Sequence, residues 1–367
     1  MVYKYVSKNR YFKDVIDDYF KTDWTKYNDI NLDNLNYVDV DYPSKSCNKC
    51  NIINQFKTTT MLGNKKEQYD NIIKYNNGVK PSYIPLTISF TTDTMSNIEY
   101  LFSTNGISNN KKWILKPENS LARKGITVIT TFVECVAWVN KHKSTKWIIQ
   151  DYIDNPLLIS DRKFHFRVYV LVIKDNSNIT ILLYNKGFMY SAMMAYDNNL
   201  LLNEIHLSGE NNPECVNVFP EHFNKHVGGD IYNEKILPQF KQIVKDTILS
   251  VYDRIQCPDG MASKYRCFKM FGYDLLVDTS YKLHLAEINA RLISFKYPPP
   301  GFKQALYKNI LDIITLKTIP EEGDIGSFIY IDARMIEQRK KKFDKAKLYA
   351  AIYASICMAL VLYVTVT

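Results

Sequence analysis

The stretch Gln150–Val172 reads QDYIDNPLLISDRKFHFRVYVLV. From Lys163 onward, KFHFRVYVLVI predicts a strand, because aromatic and β-branched residues run through it almost unbroken. Side chains two apart leave a strand on the same face, so Lys163, His165 and Arg167 share one. A basic face inside an otherwise apolar strand is costly unless anions are supplied. A solvated sheet face is the plainer reading, and the strand alone leaves both open. Just upstream, KWIIQDYI reads as another strand, followed by DNPLL. Just downstream, ITILLYNKGFMYSAM alternates and predicts a hairpin across KDNSN.

Working outward, KKWILKP is a strand stopped by Pro117, ENSLARKG a loop, ITVIT the returning strand, and FVECVAWVNKH a helix. Toward the C-terminus, a long amphipathic helix starts near Pro238, then come the strands FKMFGYDLLVD and KLHLAEINA and the helix FKQALYKNILDIITL. Residues 1–110 are polar and weakly periodic. They contain a predicted helix from about Asn64, a short strand in PSYIPLTISF, and a helix in MSNIEYLFSTNG closed by Gly106. No internal repeat is visible. The fold class is α/β of the α+β kind: antiparallel hairpins preceded by a smaller N-terminal α/β subdomain. The expected division is 1–110, 111–173, 174–333, a basic linker 334–347, and a final segment 348–367.

The segment KLHLAEINARL, Lys282–Leu292, places Glu287 and Asn289 two apart on a strand. Asp274 lies on the preceding predicted strand, and the short turn between them would make the two strands neighbours. Two carboxylates and an amide suit Mg²⁺, which completes its shell with water and phosphate oxygens. An exposed strand end is the alternative for the Glu–Asn pair alone. Candidate phosphate binders are Lys116, Arg123 and Lys124 around the first hairpin loop, with Lys163 and Arg167 on the basic strand face. Cations beside a Mg²⁺ acid cluster are the parts that hold and polarise a nucleoside triphosphate.

Composition sets the bounds. The chain has 367 residues, 46% hydrophobic and 23% charged, which is ordinary for a folded protein of two or three subdomains. A net charge of +9 favours anionic partners such as nucleotides, nucleic acid, acidic protein tails or a membrane surface, without choosing among them. The N-terminus lacks an apolar signal-peptide core, and the cysteines number seven, so reduced thiols and a cytoplasmic catalytic region are expected. CNKC (Cys47, Cys50) has CxxC spacing, but no second Cys or His pair lies near it in the sequence, so a zinc or redox role is weakly supported. Leu348–Thr367 carries no charge and follows the basic RKKKFDKAK. Such a run is long enough to cross a bilayer and predicts a tail anchor; a buried C-terminal helix is the alternative.

The blocks KKWILKPENSLARKGI, WIIQDYIDNPLLISDRKFHFRVYVLV, LLYNKGFMYSAMMAY, IHLSG, MFGYDLLVD and LHLAEINA occur in the order of the tubulin–tyrosine ligase-like family. INQF…LGNKKEQY and YIPLTISF resemble its N-terminal portion, so the resemblance covers roughly residues 50–320. It implies an ATP-grasp fold, with ATP clamped between two antiparallel-sheet lobes. Gln150 and Tyr152 would line the adenine pocket. Lys116 and Lys163 would contact phosphates or the base, and Arg167 would face the γ-phosphate. Asp274, Glu287 and Asn289 would hold Mg²⁺, while His206 and Ser208 would border nucleotide and acceptor.

The implied activity is ATP-dependent ligation of a free amino acid to a carboxylate of an acidic protein tail, such as that of tubulin. A monomer with no nucleic-acid partner is expected. Four departures stand out: Arg123-Lys124-Gly125 where the family has Gly-x-Gly, His165 for an Asp, Tyr190 for an Arg expected to bind the amino acid's carboxylate, and Gly209 for Asn. They leave open an altered or inactive pseudoenzyme acting as a membrane-anchored binding protein, or a ligase for a small molecule.

Overall fold

The computed structural model describes residues 3–7, 12–21, 24–26, 37–39, 50–104, 111–118, 124–142, 144–175, 178–209, 213–262, 264–290, 297–320 and 322–335. The uncharged run from Leu348, Gly106 and Arg123 lie outside them. Among the described residues no helix is long and apolar enough to cross a membrane.

Two sheets organise the chain. The smaller has four antiparallel strands in the order Thr87–Thr91, Lys146–Asp151, Trp113–Pro117, Thr127–Ile129. Alternation divides its faces. Trp113, Leu115, Trp147 and Ile149 pack with Ile98, Cys135 and Val139 of the helices Met95–Thr104 and Phe132–Lys141. Ile114, Lys116 and Gln150 are left on the opposite face. The strand Thr87–Thr91 belongs by sequence to the N-terminal 110 residues, yet it pairs with Lys146–Asp151.

The larger sheet has twelve strands and is mostly antiparallel around its long central strand, Arg162–Asp175. That strand pairs with Asn178–Tyr184 across the expected hairpin, with Gly187–Ser191, and with Arg266–Val277 over eleven residue pairs. Parallel pairing among the described strands is confined to the N-terminal ones and to Ile52–Ile53 beside Arg266–Cys267.

The near-continuous apolar run of the central strand follows from burial on both faces. Phe164, Phe166, Val168, Val170 and Val172 join a core with Phe240, Ile243, Val244 and Ile248 of the helix Leu237–Ser250. Tyr169, Leu171 and Ile173, on the other face, join Leu306, Tyr307 and Ile310 of the helix Phe302–Ile314. Toward its start that same odd-numbered face carries Lys163, His165 and Arg167, where it meets the cleft between the sheets. Glycine is required at Gly187: a Cβ there would lie 2.3 Å from the Arg167 carbonyl oxygen and 2.5 Å from the Phe219 ring.

The expectation of reduced thiols is corrected for three cysteines. Cys257 and Cys267 form a disulfide, and Cys50 is likewise disulfide-bonded, whereas buried Cys135 and Cys215 are free. Cys257 and Cys267 stand ten positions apart with Cα atoms 5.8 Å apart, a closure that depends on how the loop between them folds and that spacing alone could not show.

Candidate active site

The strands Arg266–Val277 and Leu283–Asn289 are neighbours, with Asp274 directly opposite Glu287 and Gly272 opposite Asn289. A register shift after Asp274 marks a bulge there, a feature that re-aims side chains. On its other side Asp274 faces Arg167. Arg167, Asp274 and Glu287 thus form one row across three strands, all on one face of the sheet.

Two carboxylates directly opposite repel each other unless cations balance them. Arg167 donates to both Asp274 oxygens, through Nε to Oδ1 and through Nη2 to Oδ2 at 3.0 Å. Lys65 Nζ donates to Glu287 Oε1 at 3.1 Å. Asn289 Nδ2 donates to Asp274 Oδ2 at 3.2 Å. Burial alone would raise the Asp274 pKa, but the Arg167 charge, then His165 and the hydrogen bonds, hold it below the ordinary carboxylate value. Burial likewise works against the Arg167 charge, and Asp274 more than restores it.

The same cleft is lined by a cation from the other sheet, Lys116, and by one from the start of the central strand, Lys163. Lys116 Nζ donates to Gln150 Oε1 at 2.8 Å, and Gln150 Nε2 donates to Thr87 Oγ1 at 2.7 Å. Lys163 lies over the Tyr152 ring, 3.8 Å from its centroid, a cation–π contact. Burial lowers the Lys116 pKa to about 8, with Lys65 adding to the effect and Glu287 and Asp274 opposing it. Burial lowers Lys163 to about 7; Asp154 opposes this, while Lys116 and Lys112 reinforce it. Two buried amines so close to neutrality form a pocket that gains from receiving an anion.

His206 donates from Nε2 to the Leu200 carbonyl, which can only accept, so Nε2 carries its proton. Burial lowers the His206 pKa, and the neutral ring accepts at Nδ1 from the Tyr152 hydroxyl at 2.6 Å. His165 Nδ1 lies 2.7 Å from Ser208 Oγ, and Nε2 lies 3.7 Å from Asp274 Oδ1. The histidine standing where the resemblance implies an aspartate thus links Ser208 to the acidic row. Tyr190 is wholly buried against it, with ring centroids 5.4 Å apart, and the Arg167 guanidinium lies 5.5 Å from the Tyr190 centroid.

Lys116, Gln150, Tyr152, Lys163, His206, Ser208, Asp274 and Glu287 all line one cleft between the sheets, of about 760 Å³ counting its open mouth. Pro85, Ile114, Ile126 and Leu276 supply its apolar walls. Arg167 and Asn289 reach the cleft through Asp274. Lys124 is exposed and does not line it.

Sequence reasoning missed Lys65. It sits in the first turn of the helix Lys65–Tyr75, behind an Asn64 side chain that accepts from the Glu67 N–H at 2.9 Å. A lysine at a helix N-terminus opposes the helix dipole, and one that is also buried needs a partner; Glu287 is that partner.

Among the described residues no three His, Cys, Asp or Glu side chains are placed together to hold a metal ion. The hard-oxygen set of Asp274, Glu287 and the Asn289 amide still fits Mg²⁺, which takes one or two carboxylates and fills its shell from water and phosphate. The carboxylates lie side by side at the cleft wall, 13% and 29% exposed.

The Tubulin-tyrosine ligase family profile matches residues 44–315. Tubulin glycylase 3C of Tetrahymena thermophila is 32% identical over 206 residues, covering 51% of this chain and 18% of the glycylase. Probable tubulin polyglutamylase ttll-9 of Caenorhabditis elegans is 24% identical over 241 residues, covering 60% of this chain and 56% of that protein. Tubulin polyglutamylase TTLL5 of Homo sapiens is 27% identical over 265 residues, covering 65% and 20% respectively. The chain therefore spans between about a fifth and just over half of these relatives. With the profile matching well over half of the chain, and with two antiparallel sheets around an acid–base cleft, this protein belongs to the tubulin-tyrosine ligase family, within the ATP-grasp superfamily.

Proposed function

We propose that this chain is an ATP- and Mg²⁺-dependent ligase that joins a free amino acid to a carboxylate of an acidic protein tail, tubulin's being the first candidate. The observation that carries the reading is the Arg167–Asp274–Glu287 row, whose carboxylates share one cleft with buried Lys116 and Lys163. A carboxylate is a poor acyl donor. Its oxygen attacks the γ-phosphorus of ATP, ADP leaves, and an acyl phosphate results. The amine of the amino acid then attacks the acyl carbon, phosphate leaves, and an amide forms.

In this reading Lys116 and Lys163 hold phosphate oxygens, and both gain protons as the anion arrives. Gln150 and the apolar walls seat the base. Asp274, Glu287 and Asn289 would hold Mg²⁺, which supplies charge neutralisation on the phosphates when bound. Arg167 keeps Asp274 ionised, and Lys65 and Arg167 orient the two carboxylates for it. The positive net charge recruits an acidic tail. The uncharged run Leu348–Thr367 would tether the chain to a membrane.

A second reading, nucleotide binding without turnover, draws on Tyr190, which is wholly buried where the resemblance implies an arginine for the amino acid's carboxylate. Intact-mass analysis of tubulin decides between them, after incubation with the full-length protein, ATP, Mg²⁺ and each of Tyr, Glu and Gly. A mass increment names the amino acid and supports the ligase. No increment and no ADP release with any amino acid, alongside measurable ATP binding, would establish the second reading.

A further inference from the structure

One short segment holds four large apolar side chains in water. Met193, Met194 and Leu200 are each 46% exposed and Leu202 is 48% exposed. A single exposed leucine is ordinary on a protein surface, whereas a cluster marks a place of contact. The segment, residues 192–202, follows the strand Gly187–Ser191 and leads into the one-turn helix Asn203–His206.

The segment is fastened at many points. The Ala192 N–H donates to the Lys163 carbonyl at 2.8 Å, the Met194 N–H to the Glu204 carbonyl at 3.1 Å, and the Tyr196 N–H to the Asp161 carbonyl at 2.7 Å. The Tyr196 hydroxyl lies 3.2 Å from the Asp154 carbonyl oxygen, and Lys112 Nζ donates to Asn198 Oδ1 at 2.6 Å. The Leu200 carbonyl accepts from His206. The backbone is thus anchored while the apolar side chains stay in water. Two of the anchors, Lys163 and His206, line the cleft, so the segment borders it.

Charge narrows what can lie on this surface. Exposed Asp154, Asp161 and Glu204 supply carbonyls that hold the segment, and Asp197 lies within it. These carboxylates outnumber the cations beside them. Lys112 Nζ is 3.9 Å from Asp154 Oδ1, and half-buried Arg162 touches Cys215 Sγ at 3.8 Å. A run of acids or an anionic bilayer would meet repulsion here. An apolar segment carrying one acid would not.

We infer that residues 193–202 are the docking surface for the acceptor, a polypeptide segment whose modified carboxylate stands within a few positions of large apolar side chains rather than in a run of acids. The word acceptor rests on the ligase reading. Apolar side chains of the partner cover Met193, Met194, Leu200 and Leu202, while its backbone, extending about 3.3 Å per residue, carries the acid into the cleft. Flexible, polarisable methionines adapt to more than one apolar neighbour. The net charge of +9 steers an anionic partner from a distance, and this surface selects at contact.

The test uses the full-length protein and two fluorescent peptides of equal length. One carries a single Glu flanked by Leu and Phe; the other carries Glu throughout. Fluorescence anisotropy should show the first binding at least about tenfold more tightly, as burial of one or two apolar side chains requires. The double variant Met194→Ser/Leu200→Ser should lose that preference while binding ATP as before. Val133→Ser, at a 76% exposed position on the outer helix Phe132–Lys141, should keep it. With the first peptide as acceptor, the double variant should raise KM about tenfold at unchanged kcat.

Equal binding of the two peptides, tighter binding of the all-Glu peptide, or a preference retained in the double variant would each overturn the inference. So would a double variant that weakens binding only to phosphatidylcholine–phosphatidylserine vesicles, since the surface would then be a membrane contact. A preference that the double variant abolishes, without ADP release for any amino acid, would sink the ligase reading and leave the docking surface standing.

Discussion

Replacing Arg167 with methionine removes the guanidinium that grips Asp274 and keeps most of the stem that packs in the strand. The two side chains are 10% and 13% exposed, so both are largely out of water. Breaking a buried ion pair by deleting one partner costs about 3–5 kcal/mol, because the remaining charge is left without compensation. Asn289 still donates to Asp274, and His165 stands 3.7 Å away. These remaining contacts place the expected loss near the lower end, about 3 kcal/mol at pH 7.

The pH dependence has a definite sign. With Arg167 present the Asp274 pKa lies below its unfolded value, so its stabilisation is fully present above roughly pH 4 and is lost as pH falls through the folded value. Without Arg167, burial becomes the dominant influence and raises that pKa above the unfolded one. The variant then loses stability as pH rises from about 4 toward 7. The gap between the two proteins should be wide near pH 7 and shrink to about half or less near pH 4.5. Urea unfolding followed by tryptophan fluorescence at both pH values measures it. Adding Asp274→Asn should recover part of the loss, because no buried charge then remains. A gap below about 1 kcal/mol, the range of a solvated pair, or a gap independent of pH, would refute the desolvated clamp.

Other outcomes follow from the same geometry. ATP binding near pH 8 should take up protons, because Lys116 and Lys163, with pKa values of about 8 and about 7, are partly neutral in the free protein; titration calorimetry in buffers of different ionisation enthalpy measures the uptake, and Lys163→Met should reduce it. Gly187→Ala should destabilise by about 1–3 kcal/mol through the clash with the Arg167 carbonyl and the Phe219 ring, seen as a lower melting temperature. Glu287→Gln should lower amino-acid-dependent ADP release at least about a hundredfold while leaving the fold intact by circular dichroism; undiminished turnover would remove Glu287 from the site.

Much of this is legible along the chain. The hairpin across residues 176–177 and the adjacency of the Asp274 and Glu287 strands follow from short connections, which leave antiparallel neighbours little choice. Period-two spacing is enough to put Lys163, His165 and Arg167 on one face. Other features have no local signature. Lys65 stands 222 positions from Glu287, and Thr87 reaches Gln150 across 63. The exposed Lys124 shows the reverse: a cation in a phosphate-loop position that folding does not turn toward the cleft.

The alternation of apolar and polar faces, the order of strands and helices, and the residue types able to hold a nucleotide and a hard metal ion all belong to the sequence. These are local properties, set by backbone periodicity and side-chain chemistry. Which charges meet was settled by tertiary folding. Arg167 became the partner of Asp274 and Lys65 the partner of Glu287, and the Cys50 carbonyl came to accept from the Ala262 N–H in the loop that Cys257 and Cys267 close. Chain closure brings such groups together, and burial then obliges each charge to find its opposite, because the free energy of an unpaired ion in the core exceeds almost any local preference.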